Sequence, residues 1–166
     1  MSDQRGATLV ELVMTIVIIS VAIAGVVGAF ALISGRSADP LNQTRAVELA
    51  QLYMDEIITR KYDDSVPQGG MPKYSGGCNI GAEPGEERGT YDDVDDYNDL
   101  TDSPPKNARD NDGEVLDGYA GFSVSVSVVC AGADVGLPGS EAKRVDLTVL
   151  APGGQSFSFS AYRANF

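Results

Sequence analysis

The chain opens with a long apolar segment that carries a single charge. From Ala7 to Ile33 every residue is apolar, glycine, serine or threonine, with the exception of Glu11. As a helix, residues 12–33 would extend roughly 33 Å at about 1.5 Å per residue, which is enough to cross a bilayer. We therefore predict a membrane-spanning helix near the N-terminus.

A second helical pattern follows Asp39 and Pro40, an N-cap residue and a proline suited to the first turn. Apolar residues then recur at three- and four-residue spacing as far as about Tyr62, which predicts an amphipathic helix. Its apolar face comprises Ala46, Ala50, Tyr53 and Ile57, flanked by Val47, Met54 and Ile58. The other faces are predicted to hold the polar residues Arg45, Glu48, Asp55, Glu56 and Thr59.

The last third of the chain alternates apolar and polar residues. This alternation covers residues 122–128, 145–149 and 157–161, and Pro152-Gly153-Gly154 marks a turn. The pattern predicts three strands in an antiparallel meander with one apolar face. The amphipathic helix is the natural cover for that face. The predicted fold class is thus α+β, with a long N-terminal helix, one half membrane-spanning and one half amphipathic, packed on a small antiparallel sheet.

Composition narrows the range of functions. The net charge is −12 and the pI is about 4.2, which argues against nucleic acid and anionic lipid surfaces as partners. The chain has no histidine, the commonest general base and metal ligand. Catalysis is therefore not expected.

The two cysteines, Cys78 and Cys130, both lie outside the apolar segment. In an oxidising compartment they would form a disulfide, which would close the Gly-, Pro- and Asp-rich residues 63–117 that we predict to be irregular. Two separate buried thiols are the alternative.

A carboxylate inside a membrane-length helix costs a few kcal/mol, so Glu11 is expected to have a partner or a function. Residues 5–13 read Arg-Gly-Ala-Thr-Leu-Val-Glu-Leu-Val. This arrangement resembles the class III leader of type IV pilins and type II secretion pseudopilins, with alanine at the position where the family usually has phenylalanine. The resemblance also implies the type IV pilin fold.

The resemblance implies cleavage by prepilin peptidase between Gly6 and Ala7 and N-methylation of Ala7. It also implies that Glu11 neutralises the N-terminal amine of a neighbouring subunit during filament assembly. The implied domains are a leader (1–6), a transmembrane and assembly helix (7–36) and a periplasmic globular domain (37–166). The protein would span the bacterial inner membrane once, with its N-terminus in the cytoplasm. It would then enter an extracellular pilus or a periplasmic pseudopilus through other pilin subunits and the inner-membrane assembly machinery.

Segments further along the chain narrow the resemblance. Residues 45–51, 91–97 and 161–166 resemble D-type minor pilins of mannose-sensitive haemagglutinin pili, which are cell-adhesion filaments. The expected function is therefore that of a structural minor pilin. The alternatives are a pseudopilin of a type II secretion system, or a membrane-anchored periplasmic binding or sensory domain that keeps its leader.

The irregular segment is rich in carboxylates, and oxygen ligands on a glycine-rich loop suit calcium. A solvated acidic surface is the favoured interpretation, and no cofactor is expected beyond this weak possibility. Paired carboxylates at 92–93 and 95–96 could also serve glycoside hydrolysis, but nothing else in the sequence supports it. The weak calcium candidates are Asp92, Asp93, Asp95, Asp96, Asp110 and Asp112.

Overall fold

Two helices precede a four-stranded sheet. The structure, a computed structural model, describes residues 8–36, 39–67, 69–107 and 113–166. It divides into two compact units, one ending at Leu41 and the other comprising Asn42–Phe166. The helices are α1 (Leu9–Arg36) and α2 (Asp39–Ile58); short 3₁₀ helices lie at Asp95–Tyr97, Gly132–Val135 and Gly139–Glu141. The strands are β1 (Thr101–Asp102), β2 (Ser123–Cys130), β3 (Ala142–Leu150) and β4 (Ser156–Ala164).

Two hydroxyl side chains in helix α1 find their hydrogen-bond acceptors within the helix itself. The hydroxyls of Thr15 and Ser20 donate to the carbonyl oxygens of Glu11 and Ile16, each at 2.7 Å. Large apolar side chains from Leu9 to Phe30 are exposed around the whole helix. A helix of this kind suits an apolar environment, because its backbone and hydroxyl groups need no water.

The strands form an antiparallel sheet in the order β1-β2-β3-β4. Leu147 in the middle of β3 lies opposite Val126 on β2 and Phe159 on β4. The alternating apolar residues therefore line up across three strands and make one continuous apolar face. The predicted meander is confirmed. The two-residue β1, which was not predicted, is too short to show an alternating pattern.

The apolar face of α2 covers the sheet. Ala46, Ala50, Tyr53 and Ile57 are buried, as their spacing predicts, and they share one core with the inward-facing residues of β2 and β3. Leu49 joins them. The predicted α+β fold class, with a long apolar N-terminal helix and a helix packed on an antiparallel sheet, is confirmed.

Helix α2 ends earlier than its sequence pattern predicts, at Ile58 rather than near Tyr62. The Thr59 hydroxyl lies 2.9 Å from the carbonyl oxygens of both Asp55 and Glu56, and so contacts acceptors that the last turn leaves unpaired. Tyr62 is buried beyond the helix end, where its hydroxyl donates to the Ser140 carbonyl at 2.7 Å.

Glu56, which the sequence predicts to lie off the apolar face of α2, is covered there by another part of the chain. Glu56 is buried, and its Oε1 accepts a hydrogen bond from the Tyr97 hydroxyl at 2.6 Å. The 3₁₀ helix Asp95–Tyr97 covers this side of α2. The periodicity of a helix does not predict burial of a side chain by an irregular segment from elsewhere in the sequence.

Few regular elements occur among the described residues between α2 and β2, yet tertiary contacts hold this part of the chain. The side-chain amide of Asn165 donates to the Tyr74 carbonyl at 2.8 Å, and its oxygen accepts the Tyr74 N–H at 2.9 Å. Since Asn165 follows β4 directly, the C-terminal end of the sheet fixes a point in the irregular segment.

Candidate functional site

The N-terminal end of α1 carries the first group of predicted site residues. Gly6 and Ala7 lie outside the described residues. Glu11 lies in the first turn of α1, where its backbone N–H donates to the Thr8 hydroxyl at 3.3 Å. Thr8 therefore caps the helix in the Thr-x-x-Glu spacing of a capping box. Sequence reasoning did not recognise this spacing, although it is visible in residues 8–11.

The cap gives Glu11 a second, local explanation. An acidic side chain in the first turn interacts favourably with the partial positive charge of a helix N-terminus. Its contribution there is typically below about 1 kcal/mol at an exposed site, whereas burial of a carboxylate in hydrocarbon costs a few kcal/mol. The local role alone does not offset the cost of a membrane setting.

Helix α1 is long and apolar enough to cross a membrane. The most apolar 18-residue window within Leu9–Ala31 has a mean hydropathy of 2.7, and none of that window is buried. In water, so large a continuous apolar surface would be strongly unfavourable. The helix therefore suits lipid or contact with other apolar helices.

The two cysteines meet in the globular unit. Cys78 and Cys130 form a disulfide with a Cα–Cα distance of 6.2 Å, across a sequence separation of 52. Cys130 is the last residue of β2, so the bridge ties the irregular segment to a central strand of the sheet. The alternative of two separate thiols is not what the structure shows.

The calcium candidates that the structure describes, Asp92, Asp93, Asp95 and Asp96, do not come together as one group of ligands. Asp110 and Asp112 lie outside the described residues. Asp92 pairs with Lys61 at 2.5 Å, and Asp95 forms an ion pair with Lys143. These two carboxylates already have protein cations as partners, which makes them poor candidates for metal ligands.

Asp93, Asp95 and Asp96 are buried, so the interpretation of a solvated acidic surface is wrong for these three. Asp93 Oδ1 accepts the N–H groups of Asp95 and Asp96 at 2.9 and 3.3 Å. Burial, followed by the nearby carboxyl of Asp95, raises the pKa of Asp93 to about 8. Asp93 thus orders the turn that leads into Tyr97. Burial also keeps these carboxylates from a polysaccharide, so the structure offers no support for glycoside hydrolysis.

A different acidic cluster emerges from the fold. Glu83, Glu86 and Asp96 each place one carboxylate oxygen so that the three oxygens lie within 4.8 Å of one another. Burial and the adjacent Asp96 carboxyl raise the pKa of Glu86 to about 7. The sequence candidates included Asp96 but neither glutamate. Ten residues separate Asp96 from Glu86, and no local spacing pattern signals their contact.

Comparison with known proteins bears on the N-terminal part. The family model described as a prokaryotic N-terminal methylation motif matches residues 1–27, a stretch that includes Gly6, Ala7 and Glu11. No curated protein and no solved structure shows significant similarity to the chain. The motif supports a type IV pilin-like family, whose members are structural subunits. Together with α1, it supports anchoring in a membrane before assembly with other subunits.

Proposed function

We propose that this chain is a structural minor pilin, cleaved by prepilin peptidase between Gly6 and Ala7 and assembled through α1 into a filament. One observation carries the proposal: the N-terminal methylation motif coincides with the start of a helix whose apolar side chains are exposed on all sides. Such a helix needs two successive apolar environments, lipid before assembly and neighbouring subunits afterwards.

Assembly requires no chemistry beyond the processing step. Transfer of α1 from lipid to a bundle of equivalent helices exchanges one apolar environment for another, so its apolar side chains stay out of water throughout. Glu11 supplies a polar interaction between subunits, because its carboxylate pairs with the free amine that cleavage creates on Ala7 of a neighbouring subunit. In a low-dielectric setting each charge stabilises the other, and loss of one partner leaves the other unpaired.

The closer assignment, to a minor pilin of the mannose-sensitive haemagglutinin type, is supported by the resemblance of residues 45–51, 91–97 and 161–166. Several residues of these segments pack the globular unit: Ala46 and Leu49 on α2, Tyr97 in its 3₁₀ helix and Asn165 after β4. The resemblance therefore includes positions that stabilise the domain. A type II secretion pseudopilin shares the leader and is the second candidate.

The N-terminus of the mature protein tests the proposal. The chain would be produced in a host with prepilin peptidase, extracted from membranes and analysed by mass spectrometry of the N-terminal peptide. We expect a peptide that begins at Ala7 and carries one methyl group on its amine. A Gly6→Leu variant is the control, and we expect it to retain the leader. If the leader persists in the wild-type protein while a known pilin in the same cells is processed, the anchored binding or sensory domain becomes the better explanation.

Pilus and secretion roles are separable by phenotype. Deletion of the gene should reduce the number of surface pili recovered by shearing and leave exoprotein secretion intact. Loss of secretion with normal pili would assign the chain to a pseudopilus. Neighbouring genes for pilus biogenesis or for secretion provide an independent test of the same distinction.

A further inference from the structure

We propose that Glu83, Glu86 and Asp96 bind a hard divalent cation, with calcium the preferred ion. The site would join two parts of the irregular segment, the turn at residues 83–86 and the 3₁₀ helix Asp95–Tyr97. Its ligands are carboxylate oxygens, the donors that calcium favours. The proposal is independent of the assembly role of α1.

The spacing of the three oxygens suits a single ion. Calcium binds oxygen at about 2.3–2.6 Å, so two oxygens on the same ion are at most about 5 Å apart. The oxygens of the cluster lie within 4.8 Å of one another. Glu83 is exposed and Glu86 half-buried, so both can adjust to the coordination distance and water can complete the shell.

Asp96 supplies a second observation that points to a ligand. This side chain is 1% exposed, and its Oδ2 accepts the backbone N–H groups of Asp92 and Asp93 at 2.8 and 3.1 Å. Its Oδ1 is buried and has no hydrogen-bond partner among the described residues. An unsatisfied buried carboxylate oxygen is costly, and a cation would remove that cost.

Nearby protein cations do not neutralise the cluster. Within the described part of the chain, no salt bridge includes any of its three carboxylates, and the basic residues of this region pair elsewhere. Lys61 binds Asp92, Arg88 binds Asp102 and Lys143 binds Asp95. Three carboxylates so close together on a chain of net charge −12 favour a bound cation.

One rival arrangement satisfies the same oxygen without metal. If Glu86 is protonated, its carboxyl can donate a hydrogen bond to Asp96 Oδ1, and the two carboxyls then share a proton. Glu86→Gln imitates this neutral donor and should preserve the fold under either arrangement. It removes a charged ligand, however, so only the cation site predicts a loss of metal affinity.

Terbium luminescence provides the test, because Tb³⁺ replaces calcium in oxygen sites and emits when a nearby tyrosine is excited. Tyr91 and Tyr97 pack edge to face at 5.2 Å beside the site, and the chain has no tryptophan to interfere. The full chain in detergent, pretreated with chelator, would be titrated with Tb³⁺ and then with CaCl₂. We expect saturable emission that calcium displaces.

Matched variants make the assignment specific. Glu83→Gln and Glu86→Gln should each weaken Tb³⁺ and calcium binding about tenfold or more. Glu87→Gln, the same substitution at an exposed neighbour outside the cluster, should leave both affinities unchanged. Near-ultraviolet circular dichroism confirms that each variant is folded. Absence of saturable emission, equal weakening by Glu87→Gln, or undiminished binding by Glu86→Gln would each overturn the site.

Discussion

At the scale of single residues, one buried ion pair connects the irregular segment to the sheet. Lys143 is fully buried on the core face of β3, with Nζ paired to the buried Asp95 and donating to the Tyr62 carbonyl at 2.5 Å. Nζ also lies 4.6 Å from the centre of the Tyr62 ring. A buried lysine is acceptable only when its charge and donors are matched in this way.

Loss of either partner should therefore be strongly destabilising. Lys143→Met leaves Asp95 as a buried charge without a cation, and we expect the free energy of unfolding to fall by about 3–5 kcal/mol. Lys143→Met combined with Asp95→Asn should recover much of the loss. Urea denaturation in detergent, followed by near-ultraviolet circular dichroism of the tyrosines, measures both.

The same substitution at an exposed pair serves as the control. Lys73 binds Glu141 at 2.9 Å with 57% of its side chain exposed, so Lys73→Met should cost less than about 1 kcal/mol. Equal effects of Lys143→Met and Lys73→Met would show that the buried pair does not stabilise the fold.

Two substitutions separate the charge of Glu11 from the helix cap that Thr8 forms. Glu11→Gln removes the charge but keeps an oxygen acceptor, and we expect normal processing with a sharp drop in incorporation into filaments. Thr8→Ala removes the cap and keeps the charge, so it should assemble well. Recovery in sheared filaments, relative to total membrane protein, is the measurement. Normal assembly of Glu11→Gln would mean that the charge pairing with a neighbour's amine is wrong.

At the scale of elements, the connection between β2 and β3 depends on a close backbone approach. A Cβ atom at Gly132 would lie 1.8 Å from the Pro138 carbonyl oxygen, and this backbone atom cannot move aside as a flexible side chain can. The Gly132 carbonyl also accepts the Leu137 N–H at 2.9 Å. The 3₁₀ helix Gly132–Val135 therefore needs glycine as its first residue.

Gly132→Ala should consequently destabilise the protein by about 1–3 kcal/mol or more, as overpacking does elsewhere. Gly139→Ala in the same connection is the matched control, because its added Cβ would have no atom within 4 Å apart from those of Gly139 and its two chain neighbours. Thermal unfolding followed by circular dichroism should show a lower Tm for the first variant and little change for the second. A similar Tm for the two would contradict the steric explanation.

The disulfide ties the long irregular segment to strand β2. It closes a loop across a separation of 52 residues, and on the chain-entropy model such a bridge contributes about 4 kcal/mol. Cys78→Ser with Cys130→Ser should lower the free energy of unfolding by a comparable amount. Urea denaturation measures this free energy for the double variant, for the wild-type protein and for the wild-type protein with reductant. Stability unchanged by both treatments would show that noncovalent contacts alone hold the segment.

At the scale of the whole molecule, the globular unit contains its own core. Every residue of the buried hydrophobic cluster lies at Ala46 or beyond, within the unit Asn42–Phe166. We therefore expect residues 39–166, exported with a cleavable signal peptide, to fold as a soluble monomer with the Cys78–Cys130 bridge. Peptide mapping without reduction, size-exclusion chromatography and circular dichroism test this. Aggregation of the shortened chain, with free thiols, would show that the domain needs α1.

The elements with regular patterns are predictable from the order of the residues alone. The uninterrupted apolar run predicts α1, three- and four-residue spacing predicts the buried face of α2, and alternation predicts the strands around Val126, Leu147 and Phe159. These inferences succeed because the burial of a helix or strand face repeats with the geometry of its own backbone. The leader pattern around Gly6, Ala7 and Glu11 is equally local, since the residues that define it are adjacent in the chain.

The contacts of the irregular segment become visible only in the folded chain. No periodicity indicates that Glu56 meets Tyr97, that Lys143 pairs with Asp95, or that Asp96 lies beside Glu83 and Glu86. A polar residue is stable in a core only when its partner arrives from another part of the chain, and that arrival depends on the packing of the whole domain. The buried polar contacts and the proposed cation site are therefore properties of the folded molecule, whereas the helix and strand pattern follows from neighbouring residues.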